Sequence, residues 1–295
     1  MKQKLVIITG LTASGKSGLA INLASKFGGE IISCDCVQVY KYLDIGSAKE
    51  TKENRQKIKH HLIDIVEPDK TYNVANFVED CKKAVYDCIK RGKIPFIVGG
   101  TGMYIKALLE GFSLGSETNL EFRKFYQDFA EKHGKLAVWE ELNKINPDLA
   151  NKVHYNNLNR VIRYLEVSKF GMPTKTEPIF KDFDILAIGI NEDKEKIYPK
   201  INERVDAMFD EGLVLEVESL LQIGLNSKYQ SLNSIGYKET CAYLNGEIDL
   251  DSCKDLIKQH TRNYAKRQLT FMKTIKDLKI MTKEQAESEI TKFLS

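Results

Sequence analysis

Short apolar runs alternate with amphipathic stretches along this chain, and the alternation predicts its secondary structure. Continuous apolar runs of a few residues are typical of strands buried on both faces, whereas apolar residues at intervals of three and four are typical of helices. Each of the first three helical stretches lies between two such runs, which favours a parallel sheet with helices packed against it. The predicted strands are residues 5–8, 30–34, 94–98 and 185–190, and the predicted helices between them include 17–27, 74–91 and 103–110.

The pattern changes at residues 116–182, where only helical periodicity is present. Apolar and aromatic residues form three successive helix faces there, the second at 136–145 and the third at 158–170. Strand character returns only after this block, so an all-helical insertion between strands of one sheet explains it best. We therefore expect a helical insertion domain at 116–182 and an α/β core formed by 1–115 and 183–295, whose C-terminal part is mostly helical.

The first predicted strand runs directly into a glycine-rich loop of the form G-x-x-x-x-G-K-[ST]. Between a strand and a helix, such a loop turns several backbone N–H groups towards an anion at the helix N-terminus. Its lysine adds a point charge, and the hydroxyl of Ser17 is placed to hold Mg²⁺. The loop therefore predicts that a diphosphate or triphosphate group is bound by Gly10, Leu11, Thr12, Ala13, Ser14, Gly15, Lys16 and Ser17.

Two further strand ends carry candidate chemistry. Asp35 follows the second predicted strand and is expected beside the phosphate loop, because ligands of open parallel sheets bind outside the carboxyl ends of the strands; a turn-capping aspartate is the open alternative. The strand at 94–98 ends in two glycines and Thr101, without the aspartate that a motor NTPase or GTPase usually carries there. Thr101 offers a hydroxyl to a ligand, and it can also cap the following helix.

Composition and charge are those of an ordinary soluble protein. The chain has 44 Lys and Arg against 41 Asp and Glu, and its apolar runs are too short to span a membrane. The first strand begins so close to Met1 that we expect no signal peptide. Six cysteines without a C-x-x-C pair favour free thiols in a reducing compartment, so we expect a cytoplasmic protein with neither disulfides nor zinc.

Three polar features have competing interpretations. His60 and His61 suggest a metal site, but neighbours on an extended segment point to opposite faces and no third ligand has a suitable spacing, so polar contacts at a strand edge are favoured. Residues 258–283 carry eight Lys and Arg against one acid, with aromatic residues interleaved, which suits RNA, although solubilising surface charge is an alternative. Arg160 and Arg163 share a helix face and either clamp phosphates or lie on a solvated face.

Eight stretches, in order along the chain, resemble one family closely: the bacterial tRNA dimethylallyltransferases, also called tRNA isopentenyltransferases. The resemblance covers nearly the whole chain and implies a P-loop NTPase-like parallel sheet core flanked by helices, with an all-helical insertion domain. The chain departs from the family pattern at Cys36, Lys41-Tyr42 and Tyr155–Leu158, which fall in the expected tRNA-contact loops. The matching stretches are Gly10–Ser17, Ser33–Tyr40, Asp44–Lys49, His60–Asp64, Val98–Tyr104, Asn159–Arg163, Ile235–Glu239 and Ala265–Thr270.

The resemblance implies transfer of a dimethylallyl group from dimethylallyl diphosphate to N6 of the adenosine just 3′ of certain tRNA anticodons, with release of diphosphate. It implies that Asp35 is the general base and that Thr101 and Lys16 act beside it. The phosphate loop, Arg204 and Mg²⁺ held by Ser17 would then bind the diphosphate. The expected partners are the tRNA anticodon loop and the prenyl diphosphate, with no membrane, and the chain is expected to act as a monomer.

The implied tRNA contacts lie near the reaction centre and in the insertion domain, and further turn and basic residues of the last third are expected to act in the same way. Three alternatives stay open: a small-molecule kinase, a prenyltransferase acting on free adenine nucleotides, and an RNA-binding module with a vestigial phosphate loop. The expected tRNA contacts are Asp35, Cys36, Val37, Gln38, Thr101, Arg123, Asn159, Arg160, Val161, Ile162, Arg163, Asn233, Ser234, Ile235, Gly236, Tyr237, Lys238, Lys266, Arg267 and Lys273.

Overall fold

The computed structural model describes residues 2–111, 119–171 and 176–295. The chain divides into two compact units, of which the smaller is inserted into the sequence of the larger. Unit 1 comprises Met1–Glu110 and Pro178–Ser295, and unit 2 comprises Gly111–Glu177. The insertion expected at 116–182 therefore begins and ends a few residues further along the chain than unit 2, and residue 116 itself lies outside the described residues.

Unit 1 is built on one six-stranded sheet in which every pairing is parallel. Its strands are β1 (Lys4–Gly10), β2 (Gly29–Ser33), β3 (His60–His61), β4 (Ile94–Val98), β5 (Asp184–Ile190) and β6 (Lys279–Met281). Their order is β3-β2-β4-β1-β5-β6, so in the middle of the sheet Ile8 of β1 lies opposite Val98 on one side and Ile188 on the other. The α/β class and the four predicted strands are confirmed. The two edge strands were not predicted because they are only two and three residues long.

Helices cover both faces of this sheet. Successive residues of β1 point to opposite faces, and Val6 and Ile7 are both fully buried. Val6 shares a core cluster with Leu19 and Ile290. None of the described helices is long and apolar enough to cross a membrane. The helices are α1 (Lys16–Phe27), α2 (Lys52–Lys57), α3 (Val74–Lys90), α4 (Gly102–Glu110), α5 (Leu120–Ile145), α6 (Pro147–Ala150), α7 (Leu158–Phe170), α8 (Lys194–Asp210), α9 (Leu213–Gln222), α10 (Tyr237–Leu244), α11 (Leu250–Met272) and α12 (Lys283–Leu294).

The carboxyl ends of three adjacent strands bring the candidate chemistry to one edge of the sheet. β1 leads into the phosphate loop, β2 ends two residues before Asp35, and β4 ends at Val98 before the two glycines. β4 lies between β1 and β2, and all three run in the same direction, so their carboxyl ends are neighbours. This is the edge at which open parallel sheets bind their ligands.

Unit 2 has a core of its own, formed by α5, α6 and α7. Val138 and Leu142 of α5 pack with Val161 and Ile162 of α7 in one buried cluster. The first two helices predicted for the insertion are both contained in α5, which is interrupted at Gly134, where φ is 84° and the conformation is not helical. The third predicted helix coincides with α7.

Candidate active site

The glycine-rich loop between β1 and α1 is shaped to receive an anion. Gly15 caps the N-terminus of α1 at a φ of 78°, and Ala13 has a φ of 61°, so the backbone curls between strand and helix. The first N–H groups of a helix have no intrahelical acceptor and lie at the positive end of the helix dipole. Lys16 folds back over the loop, with Nζ 3.3 Å from the carbonyl oxygen of Leu11. The loop thus presents both backbone donors and an ammonium group.

A cavity of about 440 Å³ within unit 1 joins this loop to most of the other candidate residues of that unit. Its wall includes parts of the phosphate loop, the segment after β2, the end of β4, α8, α11 and the turn before α10. The candidate residues that line it are Thr12, Lys16, Ser17, Asp35, Cys36, Val37, Gln38, Arg204, Asn233, Ser234, Ile235, Gly236, Lys238 and Arg267. Those of unit 1 that do not line it are Gly10, Leu11, Ala13, Ser14, Gly15, Thr101, Tyr237, Lys266 and Lys273.

Two cations meet in this cavity. Burial and the nearby Arg204 guanidinium lower the pKa of Lys16 to about 8, and the Asp35 carboxylate offsets this only in part. Burial also lowers the pKa of Arg204, again against the opposing effect of Asp35. Within the described ranges, neither cation forms an ion pair. Because unpaired buried charge is unfavourable, a polyanion that bound here would be stabilised by both cations.

Asp35 is both a turn-capping aspartate and a residue of the ligand-binding edge, the two interpretations that the sequence left open. Its Oδ1 accepts hydrogen bonds from the N–H groups of Val37 at 2.8 Å and Gln38 at 3.3 Å, which is the geometry of a turn-capping aspartate. Its Oδ2 makes no hydrogen bond to any residue that the structure describes. Asp35 also lines the cavity. A carboxylate held through one oxygen, with the other open, can accept a proton from a ligand in that cavity.

Thr101 supports the segment that carries Asp35. Its hydroxyl oxygen accepts a hydrogen bond from the Cys36 N–H at 3.1 Å, and its own N–H donates to the Cys34 carbonyl at 3.3 Å. A Cβ on Gly99 would collide with that Cys34 carbonyl, so only glycine allows the two loops to approach this closely. Burial raises the pKa of Cys36 to about 11, so this departure from the family pattern puts a neutral thiol beside Asp35.

The surroundings of Ser17 fit a magnesium ion. A second cavity of about 20 Å³, enough for roughly one water molecule, is lined by Ser17 together with Ser33, Glu50 and other residues. Mg²⁺ prefers oxygen ligands and retains several waters. The Ser17 hydroxyl has no hydrogen-bond partner among the described residues. Ser17 would therefore be the residue that offers an oxygen ligand to such an ion.

Glu216 fixes the loop after residue 43 to α9. Its carboxylate accepts the N–H groups of three successive residues: Asp44 at 3.0 Å, Ile45 at 2.8 Å and Gly46 at 3.2 Å. It also accepts the Tyr237 hydroxyl at 2.8 Å. The Tyr237 side chain is fully buried, so the expectation that it contacts tRNA is wrong for its side chain. Tyr237 instead helps to hold this loop.

In unit 2, one buried carboxylate forms ion pairs with two of the arginines expected to contact tRNA. Glu166 accepts two hydrogen bonds from Arg123, at 3.0 and 2.8 Å, and one from Arg163 at 2.7 Å. Its side chain is fully buried, and these bonds outweigh the effect of burial and lower its pKa. Both arginines therefore stabilise the unit itself, so the alternative of a merely solvated face does not hold for Arg163, and its contact with phosphates stays a prediction.

The remaining candidates of unit 2 separate into exposed and buried residues. Asn159 and Arg160 are exposed, and the Arg160 guanidinium donates to the Tyr164 hydroxyl at 3.1 Å. Val161 and Ile162 are buried in the core of the unit, so their side chains cannot contact tRNA, contrary to expectation. The stretch Asn159–Arg163 therefore offers RNA only its exposed members.

Several cavity residues were not singled out from the sequence as site residues. Tyr264 and Gln268 of α11 line it, as do Ile201, Val205 and Met208 of α8. The apolar residues of α8 have the spacing of an ordinary core helix, so nothing in the pattern distinguishes those that face a ligand. Tyr264 and Gln268 are four residues apart and share a helix face, and both lie in the basic stretch at 258–283. Gln268 also falls within the matching stretch Ala265–Thr270, so these signals could have identified the pair.

The histidine pair lies on the edge strand β3 and makes polar contacts there. His61 Nε2 lies 2.7 Å from a carboxylate oxygen of Glu30, and Cys88 Sγ lies 3.5 Å from the same oxygen. These three ligand atoms lie within 4.8 Å of one another, but they come from separate elements, which is why no third ligand has a suitable spacing in the sequence. However, Arg91 donates to both oxygens of Glu30, and its bonds and that of His61 outweigh burial and lower the pKa of Glu30 to about 2. Arg91 already supplies the positive charge that a metal would bring.

The chain is similar to known proteins over nearly its full length. A family model described as IPP transferase matches residues 38–275, and one described as Isopentenyl transferase matches residues 3–70. The tRNA dimethylallyltransferase of Caldanaerobacter subterraneus subsp. tengcongensis is 44% identical over 92% of this chain and 90% of that protein. The crystal structure of the tRNA delta(2)-isopentenylpyrophosphate transferase from Staphylococcus epidermidis matches with a TM-score of 0.73 and 38% identity, over 99% of both chains. A eukaryotic dimethylallyltransferase acting on tRNA matches with a TM-score of 0.77 and 30% identity, over 95% of this chain and 74% of that one. This chain therefore belongs to the IPP transferase family.

Proposed function

We propose that the protein transfers the dimethylallyl group of dimethylallyl diphosphate to N6 of the adenosine just 3′ of the anticodon in tRNA. One observation carries the proposal: a carboxylate with an open oxygen, Asp35, shares a cavity with a cationic phosphate loop, while no carboxylate follows β4. Hydrolysis or transfer of a phosphoryl group calls for a carboxylate or glutamine that organises Mg²⁺ and the nucleophile. Loss of an intact diphosphate does not call for such a residue. The relatives named tRNA dimethylallyltransferase support this donor and acceptor.

Asp35 would act on the attacking nitrogen. The exocyclic amine of adenine is a poor nucleophile because its lone pair is delocalised into the ring, and it becomes acidic as it attacks. A new bond forms between N6 and the allylic carbon, the bond from that carbon to the diphosphate oxygen breaks, and the N6 proton passes to Asp35. Oδ1 is held by two N–H groups, so Oδ2 is the atom available to receive the proton.

The phosphate loop would stabilise the leaving group. As the carbon–oxygen bond lengthens, negative charge grows on the diphosphate, where Lys16, Arg204 and the N–H groups at the start of α1 converge. These donors are fixed before the reaction, so they need little rearrangement in the transition state. Mg²⁺ held by Ser17 would add positive charge at the same place.

The acceptor base would enter the cavity from the anticodon loop of tRNA. A stacked base must be extruded to reach Asp35, at a cost of about a few kcal/mol. The Thr101 hydroxyl accepts from the Cys36 N–H and so would hold the segment that carries Asp35 against the incoming base. Lys238 and Arg267 are basic residues of the cavity wall that suit the RNA backbone. A tRNA acceptor also implies a cytoplasmic location.

The first test is product formation. Purified protein incubated with dimethylallyl diphosphate, Mg²⁺ and unmodified tRNA is expected to yield N6-dimethylallyladenosine, measured by mass spectrometry of digested tRNA. Diphosphate is expected to be released in an equal amount. Parallel reactions replace tRNA by AMP, or offer ATP with a nucleoside acceptor. Phosphoryl transfer from ATP without any prenylated nucleoside would overturn the proposal, and prenylated AMP without prenylated tRNA would move it to free nucleotides.

The two arginines of α7 give a matched test of RNA contact by unit 2. Arg160 is exposed and forms no ion pair within the described ranges, whereas Arg163 is bound to the buried Glu166. We expect Arg160→Ala to weaken tRNA binding and to reduce the slope of log affinity against log salt by about one. Arg163→Ala should chiefly lower the melting temperature. Fluorescence anisotropy at several salt concentrations measures the tRNA affinity and the salt slope of both variants. Equal losses of affinity and slope in the two variants would show that Arg163 contacts RNA despite Glu166.

A further inference from the structure

The side-chain amide of Gln268 bridges two loops of the cavity. Its Oε1 accepts a hydrogen bond from the Thr12 N–H at 2.8 Å, and its Nε2 donates to the Gly100 carbonyl at 3.1 Å. These partners fix the orientation of the amide, because an N–H requires the oxygen and a carbonyl requires the nitrogen. Gln268 is only 6% exposed. Both bonds therefore form in a buried environment, where an unmade bond is costly.

The two bridged loops belong to opposite halves of the proposed reaction. Thr12 lies in the loop that would hold the leaving diphosphate. Gly100 directly precedes Thr101, whose hydroxyl accepts the Cys36 N–H beside Asp35. A Cβ on Gly100 would collide with Nε2 of Gln268, so this glycine makes the bridge possible. One amide thus connects the donor-binding loop with the segment that supports the base.

The position of Gln268 is set by the packing of α11 against the turn after β4, and not by the two loops alone. One turn earlier on α11, the Tyr264 hydroxyl donates to the same Gly100 carbonyl at 3.3 Å. Later on the same face, the Phe271 ring packs so closely on Gly102 that a Cβ there would collide with it. Residues at these spacings lie on one side of a helix. The face of α11 is therefore fitted to the turn after β4 and carries the amide to the phosphate loop.

We infer that Gln268 is a positioning residue for prenyl transfer: it sets the separation between the diphosphate loop and the Asp35–Thr101 pair. The inference rests on the proposed function. Gln268 acts through the backbone of the two loops, so its loss should disturb both donor binding and the alignment of donor with acceptor. Misplacement of reacting groups by about 1 Å can cost about 10²-fold in rate, so a bond between the halves matters more for the reaction than for the fold.

The test compares Gln268 with a second glutamine, Gln230, whose side-chain amide also accepts from a backbone N–H and donates to a backbone carbonyl. Gln230 accepts from the Tyr72 N–H at 3.3 Å and donates to the Tyr72 carbonyl at 2.7 Å, and it does not line the cavity. We expect Gln268→Ala to weaken binding of inorganic diphosphate about tenfold, the equivalent of one hydrogen bond, and to lower kcat about 10- to 100-fold. Gln230→Ala should leave both unchanged. Calorimetry with diphosphate and Mg²⁺, steady-state kinetics and thermal melting give the three measurements.

A glutamate at the same position provides a rescue. In Gln268→Glu the ionised carboxylate still accepts from Thr12 but repels the Gly100 carbonyl, whereas the protonated form can donate to it. Its diphosphate affinity relative to wild type should therefore recover as the pH falls, while that of Gln268→Ala should not. Equal effects of the Gln268→Ala and Gln230→Ala substitutions, or weaker diphosphate binding with unchanged kcat, would overturn the inference. Diphosphate binding is measured without tRNA, so failure to detect prenylated tRNA in wild type would refute the proposed function separately.

Discussion

Replacing Asp35 by asparagine is expected to reduce turnover by about 10²- to 10⁴-fold, the usual contribution of a general base. Asparagine keeps an oxygen that can accept the N–H groups of Val37 and Gln38, so the turn should retain its shape. Its amide nitrogen cannot take a proton from N6. The affinity for tRNA should therefore stay within about a few-fold of wild type. Single-turnover rates with saturating donor, together with anisotropy for tRNA binding, separate the two effects.

Asp249→Asn is the matched control for this substitution. Asp249 also accepts a backbone N–H, that of Ser252 at 2.7 Å, but it caps α11 and does not line the cavity. It should lower stability slightly and leave turnover unchanged. If Asp35→Asn retained activity within about a few-fold of this control, the proton would have another acceptor and the assignment of the base would be wrong.

Replacing Lys16 by alanine is expected to lower kcat/KM for dimethylallyl diphosphate by about 10²- to 10³-fold, the typical cost of removing one donor from a site of developing negative charge. Lys16 is partly buried and lines the cavity beside Arg204, so its ammonium group is positioned to act on the diphosphate. The affinity for tRNA alone should change less than the affinity for diphosphate. Separate titrations with tRNA and with diphosphate measure this difference, and equal losses in both would contradict it.

The lowered pKa of Lys16 also predicts a pH dependence. The free protein holds this lysine at a pKa of about 8, so its ammonium group loses its proton as the pH rises above that value. Because kcat/KM reports the groups of the free enzyme, it should fall above about pH 8 in wild type. Lys16→Arg keeps the charge and Lys16→Ala has none to lose, so neither should show this decrease. A decrease that persisted in Lys16→Ala would belong to another group.

The parts of the protein that sequence could predict are those determined by neighbouring residues. β1, the phosphate loop and α1 follow one another in the chain, so their signals are continuous and their bounds agree closely with prediction. α7 was predicted because its apolar stripe spans the whole helix. α2 was not predicted, because it has six residues, none of them buried, and its segment carries no apolar periodicity.

The side-chain partnerships of the site were not predictable, because their members are distant in sequence. Arg123 and Glu166 are separated by 43 residues, and Gln268 lies 256 residues from Thr12. A charged residue on a helix looks the same in sequence whether it faces RNA or a buried carboxylate, which is why the pairing of Arg163 with Glu166 was not predicted. Tyr237 shows the same limit, since its burial depends on α9 and the loop at residues 44–46.

The carboxylate of Glu216 has a consequence for where diphosphate can bind. The three successive N–H groups of Asp44, Ile45 and Gly46 form a second backbone nest of the kind that binds oxyanions. Because Glu216 belongs to the same chain, its carboxylate has a high effective concentration at these N–H groups, and a free oxyanion competes poorly with it. The second nest is thus already occupied by a side chain of the protein. An oxyanion would have to displace the Glu216 carboxylate before it could bind at residues 44–46.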